Sequence, residues 1–172
     1  MLKIFIVKYQ IKMGRPMKFY IYTDGAARGN PGESASGYHI FNSKHRLIAK
    51  KIFYNGTKTN NVAEYLAVIA ALERVMGEYG SESEVGLCSD SKIVVNQLKG
   101  GYKVKDRKLK VLHERALKIA DNFKSCEFSS VPRENARIAS VDKELNELLD
   151  SIKKGNKENI LDSSASQTKL FA

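Results

Sequence analysis

Three segments in the first third of the chain show the hydrophobic patterns of β-strands. Residues 19–22 form a continuous apolar run, which is typical of a buried strand. Residues 36–42 and 46–54 alternate between apolar and polar side chains, and turn-forming residues separate them. Asn55 and Gly56 then mark a turn at which the third strand is expected to end. The pattern therefore predicts an antiparallel meander of three strands.

From residue 59 onward the apolar positions change to a helical spacing. Segment 59–79 places apolar residues on one helix face, with Thr59 or Asn60 as the predicted N-cap. Further strand and helix patterns follow: a strand at 85–88, helices at 92–98 and 106–123, a strand at 126–131 and a helix at 136–153. Strands that alternate with helices pair in parallel through right-handed crossovers. We therefore expect an α/β fold: a mixed five-stranded sheet, antiparallel strands first and parallel strands after, with helices on both faces.

The length of 172 residues and the hydrophobic content of 42% are those of one globular domain. We place that domain at residues 18–154, with an N-terminal extension at 1–17 and a polar, flexible C-terminal tail at 155–172. The two cysteines are too few for a disulfide framework, and no apolar run is long enough to cross a membrane. The N-terminus, interrupted by lysine, does not have the pattern of a signal peptide. We expect a cytoplasmic monomer.

The net charge of +10 favours a polyanionic partner, with nucleic acid as the first choice. Basic residues are concentrated between the second and third predicted helices. We expect this segment to contact phosphates, since each neutralised phosphate releases counterions. A solvated helix end is the alternative. The basic residues of the segment are Lys99, Lys103, Lys105, Arg107, Lys108 and Lys110.

Four carboxylates are expected to meet at one edge of the sheet. Asp24 and Asp90 each follow an apolar strand, and the carboxyl ends of parallel strands lie at the same edge. Glu64 lies early in the first helix, and Asp142 lies beside the apolar stripe of the last helix. Clustered carboxylates raise one another's pKa unless a cation neutralises them, and hard oxygen ligands select Mg²⁺ or Mn²⁺. Two such ions would activate water and stabilise the leaving oxygen in phosphodiester cleavage.

Three motifs follow one another along the chain: Tyr22-Thr23-Asp24-Gly25 with Arg28-Gly29-Asn30-Pro31-Gly32, then Thr59-Asn60-Asn61-Val62-Ala63-Glu64, then Ser89-Asp90-Ser91. In sequence and in order they resemble the motifs of the type 1 ribonuclease H family. The resemblance covers residues 17–153 and implies the ribonuclease H fold. It also implies endonucleolytic cleavage of the RNA strand of RNA–DNA hybrids, leaving 5′-phosphate and 3′-hydroxyl ends. Asp24, Glu64 and Asp90 match the family's metal-binding acids.

The resemblance further implies a set of substrate contacts. Asn60 and Asn61 match family positions that contact the minor groove of the hybrid, where the 2′-hydroxyl distinguishes RNA from DNA. The helix at 92–98 matches the one used for base-edge contacts, and which of its polar residues reaches the substrate stays open. The other implied contacts are Gly25, Asn30, Thr59, Lys92 and Asn96, with Gln97 next to the last of them.

Two departures from the family pattern leave alternatives open. The family's fourth acid usually lies four residues after an asparagine at the start of the last helix, and that position is Ala139 here. We therefore choose Asp142 and keep Glu134 as the alternate. The loop before the last helix lacks the histidine that helps many members of the family to release product, and Arg133 or Glu134 would have to substitute for it. If the fourth acid were missing, the chain would be a catalytically weak hybrid-binding module instead of a nuclease.

The tail ends in Gln167-Thr168-Lys169-Leu170-Phe171-Ala172, which resembles the short peptide that docks replication and repair proteins on a bacterial sliding clamp. In such peptides Leu170 and Phe171 would enter an apolar pocket while Gln167 makes polar contacts. A flexible tether raises the local concentration of such a peptide without adding contacts. A chance match, or apolar residues that fold back on the domain, are the alternatives.

Overall fold

The computed structural model describes residues 16–154. Residues 1–15 of the predicted extension, and the whole predicted tail with its clamp-like peptide, lie outside the described residues. The order of elements is the predicted one, β-β-β-α-β-α-α-β-α. The elements are β1 (Lys18–Gly29), β2 (Gly32–Asn42), β3 (Leu47–Lys58), α1 (Asn60–Tyr79), β4 (Glu84–Ser89), α2 (Lys92–Leu98), α3 (Arg107–Ala120), β5 (Ser125–Ser130) and α4 (Ala136–Lys153).

The five strands form one mixed sheet in the order β3-β2-β1-β4-β5. The pairs β1–β2 and β2–β3 are antiparallel, and the pairs β1–β4 and β4–β5 are parallel. The prediction of antiparallel strands followed by parallel strands is therefore confirmed. The parallel pairing of β1 with β4 stops at Thr23 and Ser89. Asp24 and Asp90 are the next residues, so both lie where these two strands separate.

Two strand ends differ from the prediction. β1 does not end at Asp24 but continues to Gly29, because β2 pairs with it along its whole length after β4 has left. β3 does not end at Tyr54 but continues to Lys58. Asn55 and Gly56 form an irregularity inside β3 instead of the predicted closing turn, since their neighbours on both sides still pair with β2.

Helices cover both faces of the sheet, as predicted. Neighbouring residues of β2 mark the two faces: the Ser36 hydroxyl reaches Ala63 of α1, and Gly37 lies beside Val141 of α4. The larger apolar cluster lies on the side of α1, α2 and α3, and a smaller one lies under α4. Within residues 16–154 no helix has both the length and the apolar character that crossing a membrane requires.

Candidate metal centre

Three carboxylates from three different elements meet at the point where β1 and β4 separate. Asp24 lies on β1, Glu64 lies in the second turn of α1, and Asp90 directly follows β4. One carboxylate oxygen of each residue lies within 4.8 Å of the others. Asp24 is 5% exposed and Glu64 is 7% exposed. The structure thus brings together three of the four acids that sequence analysis predicted to converge.

Close backbone packing sets the position of Glu64. A Cβ atom on Gly25 would lie 2.3 Å from the amide nitrogen of Glu64 and 2.4 Å from the carbonyl carbon of Ala63, so only glycine fits. Thr59 is the N-cap of α1, and its hydroxyl accepts from the Val62 amide at 3.4 Å. The Gly25 amide also donates to Asp24 Oδ1 at 2.8 Å. The glycine therefore orients one acid and admits the helix that carries another.

The three acids hold their protons more tightly than ordinary carboxyl groups. Burial first, then the charges of Asp90 and Asp142, raise the pKa of Asp24 to about 7. Burial, then the charges of Asp24 and Asp90, raise the pKa of Glu64 well above its usual range. Burial is also the main reason that the pKa of Asp90 is raised. Without a cation, the folded protein therefore resists ionising this cluster.

The donor set fits a hard divalent cation. Every candidate ligand atom is a carboxylate oxygen, which is the ligand type that Mg²⁺ and Mn²⁺ prefer. Among the described residues, Glu64 Oε2 is buried and has no hydrogen-bond partner. A buried anionic oxygen without a partner is unfavourable unless a cation binds it. Asp24, Glu64 and Asp90 are thus suited to hold the metal that the sequence motifs imply.

Asp142 lies at the margin of this cluster. Its charge helps to raise the pKa of Asp24 and of Asp90, although none of its oxygens joins the tight group of three. Asp142 Oδ1 lies 2.9 Å from Nη2 of Arg133, and its Oδ2 accepts from Asn146 Nδ2 at 3.0 Å. The Arg133 charge lowers the pKa of Asp24 and of Asp90.

Glu134, the alternate fourth acid, is exposed. Its charge is not among the causes that shift the pKa of Asp24, Glu64 or Asp90. Of the two candidates, only Asp142 interacts electrostatically with the acids of the site. The geometry therefore favours Asp142 as the fourth acid.

Two of the predicted substrate contacts also join the first hairpin to α1. Asn30 Oδ1 accepts from the Asn60 amide at 3.2 Å, and Asn60 Oδ1 accepts from the Ala27 amide at 2.7 Å. Asn30 and Asn60 are exposed, and Asn61 is half-buried in the first turn of the helix. These asparagines therefore lie at the surface beside the three acids.

The polar residues of α2 face different environments. Lys92 is exposed, and Asn96 is half-buried with its Nδ2 donating to the Lys92 carbonyl at 2.7 Å. Gln97 is turned into the core, where its Oε1 accepts from the Tyr65 hydroxyl at 2.9 Å. The side chain of Gln97 therefore faces the core and not the surface that carries Lys92. All six basic side chains between residues 99 and 110 are exposed.

Sequence analysis missed two polar residues behind the site. The Ser36 hydroxyl donates to the Ala63 carbonyl at 2.6 Å, and Asn55 Nδ2 donates to Ser36 Oγ at 2.7 Å. Ser36 lies on a predicted strand, and Asn55 was interpreted as part of a turn. The one available signal was a polar residue at a strand position that the alternation predicts to be buried.

Comparisons of sequence relate the chain to known proteins. A protein-family model described as "Reverse transcriptase-like" matches residues 22–141. Ribonuclease HI of Halobacterium salinarum is 34% identical over 140 residues, which cover 81% of this chain and 68% of that protein. A bifunctional protein of Mycobacterium tuberculosis is 36% identical over 136 residues, which cover 78% of this chain and 36% of that protein. The chain thus spans about a third of the length of this larger relative.

Solved structures show the same similarity. The crystal structure of RNase H1 from Halobacterium salinarum matches with a TM-score of 0.71 and 34% identity, covering 78% of this chain and 98% of that one. LC11-RNase H1, crystallised in complex with an RNA/DNA hybrid, matches with a TM-score of 0.71 and 37% identity over the same shares of the two chains.

Proposed function

The chain belongs to the type 1 ribonuclease H family, and on this premise we propose that it is a metal-dependent endonuclease that cleaves the RNA strand of RNA–DNA hybrids. The observation that carries the proposal is the convergence of Asp24, Glu64 and Asp90, whose ligand oxygens lie within 4.8 Å of one another. The solved complex of a 37% identical RNase H1 with an RNA/DNA hybrid supports the choice of substrate. The interaction of Asp142 with the site acids supports a nuclease over a module that only binds hybrids.

We assign the metal ligands to Asp24, Glu64, Asp90 and, at the margin, Asp142. Two Mg²⁺ or Mn²⁺ ions bound there would supply activation of water and neutralisation of the leaving oxygen, which gives 5′-phosphate and 3′-hydroxyl ends. The protein contributes by burying Asp24 and Glu64 and by orienting Asp24 Oδ1 through the Gly25 amide at 2.8 Å. These carboxylates are thus held in position before substrate arrives.

We assign the role of the family's loop histidine to Arg133. Its guanidinium lies 2.9 Å from Asp142 and its side chain is 70% exposed, so it can contact both an acid of the site and a phosphate of the substrate. Glu134 has the wrong charge for a phosphate contact.

The hybrid would lie across the surface formed by the hairpin, α1 and α2. Asn60 and Asn61 would contact the minor groove, and Gly25, Asn30 and Thr59 would contact the strand backbones. Lys92, Asn96 and the basic segment after α2 would extend this contact along the duplex. Because the basic segment would contact phosphates, we expect the affinity for the hybrid to fall steeply as the salt concentration rises.

Replacing one ligand, with a matched control in the same helix, tests the proposal. Glu64→Gln should reduce cleavage of the RNA strand at least about a hundredfold, because several kcal/mol of charge stabilisation is lost. Glu73→Gln removes the same charge from an exposed pair with Arg115 and should leave cleavage unchanged. Gel analysis of a hybrid with end-labelled RNA measures both. Equal cleavage by the two variants would overturn the assignment.

We further propose that the chain acts as a cytoplasmic monomer and that its tail docks on a sliding clamp through Gln167, Leu170 and Phe171. The docking part of this proposal rests on the sequence motif alone. A peptide of residues 160–172 should bind a bacterial clamp with roughly micromolar affinity, and replacing both Leu170 and Phe171 by alanine should eliminate binding. Fluorescence anisotropy measures this directly. Failure of the unmodified peptide to bind at high micromolar concentration would refute the docking proposal.

A further inference from the structure

A buried hydrogen-bond relay connects the sheet to the helix that carries Glu64. Ser36 on β2 is completely buried, and its Oγ donates to the Ala63 carbonyl at 2.6 Å. Asn55 on β3 donates from Nδ2 to Ser36 Oγ at 2.7 Å. Ala63 directly precedes Glu64, so the relay ends one peptide unit from a proposed metal ligand.

The relay has only one possible direction. A serine hydroxyl has a single proton, and a carbonyl oxygen can only accept, so this proton must point to Ala63. Asn55 must then present its NH₂ group to Ser36, because its carbonyl oxygen would leave two acceptors facing each other. The hydrogen bond from Asn55 therefore keeps the proton of the Ser36 hydroxyl pointing to the Ala63 carbonyl of the helix. The Ala63 carbonyl can accept this bond beside its helical one, since it has two lone pairs.

The irregularity in β3 brings Asn55 to this position. Ser34 pairs with Gly56 and Ala35 pairs with Tyr54, so Asn55 is an extra residue without a partner on β2. Such a bulge redirects a side chain, and bulges are frequent beside active sites. Gly56 has a φ of 70°, a left-handed conformation that favours glycine. The Asn-Gly pair thus aims one amide group at Ser36.

The relay acts beside the point where α1 packs closely on Gly25 of β1. Ser36 pairs with Gly25 across β1 and β2, and a Cβ atom on Gly25 would overlap the amide of Glu64. The backbone at Ala63 and Glu64 therefore rests on Gly25 and is held there by the neighbouring serine. Without the Ser36 hydroxyl, van der Waals contact still blocks movement of the helix toward the sheet, but the hydrogen bond that opposes movement away from it is lost.

We propose that Ser36, oriented by Asn55, is a positioning residue that sets the location of Glu64 in the metal centre. This inference rests on the proposed function. Groups that orient a metal ligand without touching the metal typically change metal affinity or activity about 10- to 100-fold when removed. Ser36 acts through the backbone beside the ligand, so we expect the lower end of that range.

Ser34 provides a matched control on the same strand. It is also completely buried, and its Oγ donates to a backbone carbonyl, that of Gly56, at 2.8 Å. Only Ala35 separates Ser34 from Ser36, so both side chains lie on the same face of β2. The carbonyl that Ser34 reaches belongs to β3 and not to α1. Ser34→Ala and Ser36→Ala each remove one buried hydroxyl and one hydrogen bond to a backbone carbonyl. Ser36→Ala also removes the acceptor of Asn55 Nδ2.

The experiment compares the two alanine variants of the full chain. Calorimetry without substrate measures the Mg²⁺ affinity of each variant. Thermal unfolding without metal gives its melting temperature, and cleavage of a hybrid gives its kcat and KM. Both variants should have a lower melting temperature than the wild type, and that of Ser36→Ala should be the lower of the two, because it also leaves Asn55 Nδ2 without its acceptor. Only Ser36→Ala should also weaken Mg²⁺ binding and lower kcat, each by about tenfold, with KM for the hybrid unchanged. Asn55→Ala should change Mg²⁺ affinity and kcat in the same direction by a smaller factor, because the serine proton is then free to turn away.

The possible outcomes separate the relay from the proposed function. Equal Mg²⁺ affinity and kcat in Ser36→Ala and Ser34→Ala would show that the relay only stabilises the fold, and would overturn the inference. If Ser36→Ala does not fold, Asn55→Ala decides by the same comparison with Ser34→Ala. A wild-type chain that neither binds Mg²⁺ nor cleaves the hybrid would overturn the proposed function itself, and the inference with it.

Discussion

Replacing Asp24 by asparagine should stabilise the metal-free protein above pH 7 while abolishing cleavage. Burial first, then the charges of Asp90 and Asp142, raise the pKa of Asp24 from 3.8 to about 7. The folded state therefore binds this proton more tightly than the unfolded chain does. Stability is lost as the pH rises from about 4 to about 7, and the full loss is present above pH 7. An asparagine at this position has no charge to bury.

The size of the gain in folding stability follows from the pKa shift of Asp24. Raising this pKa from 3.8 to about 7 means that ionising Asp24 costs the folded protein on the order of 4 kcal/mol. The raised pKa already includes the opposing effect of the bond that the Gly25 amide donates to Oδ1 at 2.8 Å. We therefore expect a gain in stability on the order of 4 kcal/mol, or roughly 8–16 °C in melting temperature for a chain of this length.

Thermal unfolding followed by circular dichroism in EDTA measures the effect at pH 8 and pH 5. The gain of Asp24→Asn should be largest at pH 8 and less than half as large at pH 5, where the folded wild-type carboxyl is protonated but the unfolded one is already ionised. Asp150→Asn is the control, because it removes an exposed aspartate paired with Arg28. The Asp150→Asn variant should show no gain in melting temperature that depends on pH. Equal melting temperatures of wild type and Asp24→Asn at pH 8 would refute the electrostatic argument.

Three further predictions concern the fourth acid, the glycine contact and the basic segment. Asp142→Asn should reduce hybrid cleavage strongly and Glu134→Gln only mildly, and the reverse order would show that the wrong acid was chosen. Gly25→Ala should lower both melting temperature and cleavage, because its Cβ would lie 2.3 Å from the Glu64 amide; wild-type values for both would contradict that packing. Binding of a hybrid to the Glu64→Gln variant should depend less steeply on salt when the exposed Lys103, Lys105 and Lys108 are also replaced by neutral residues. An unchanged slope of log affinity against log salt would show that these lysines do not contact the hybrid.

Local signals in the sequence were sufficient to predict the order of elements and several boundaries. α2 begins after Ser91 and α4 begins after Asn135, and both residues cap their helix with a side chain that accepts from backbone amides. Their predicted bounds agree with the structure because caps and breakers act within a few residues. The convergence of Asp24 and Asp90 was also predictable, since parallel strands place their carboxyl ends at one edge of the sheet.

The predictions that were wrong depended on partners distant in sequence. β1 extends past Asp24 because β2 continues to pair with it, and a pattern of single residues carries no information about that pairing. Asn55 and Gly56 suit a turn and a bulge equally well, and only the register with β2 distinguishes the two. The hydrogen bond from Asn55 to Ser36 joins residues 19 positions apart, so no local pattern could indicate it.

The position of the fourth acid likewise depends on packing that local sequence patterns do not indicate. Asp142 lies near the site because the 131–135 loop and the rotation of α4 bring it there, and both depend on how that helix packs on the sheet. From sequence alone, Asp142 was the choice and Glu134 stayed open as the alternate. The electrostatic interaction of Asp142 with Asp24 and Asp90 distinguishes the two only once the fold is known.

The most direct test of the central claim is cleavage by the wild-type chain of an RNA–DNA hybrid, compared with double-stranded RNA and double-stranded DNA of the same sequence. We expect Mg²⁺- or Mn²⁺-dependent cleavage at internal sites of the RNA strand of the hybrid, with 5′-phosphate ends, and no cleavage of the DNA strand or of double-stranded DNA. EDTA should stop the reaction. An intact hybrid in the presence of both metals, or equal cleavage of double-stranded DNA, would contradict the account.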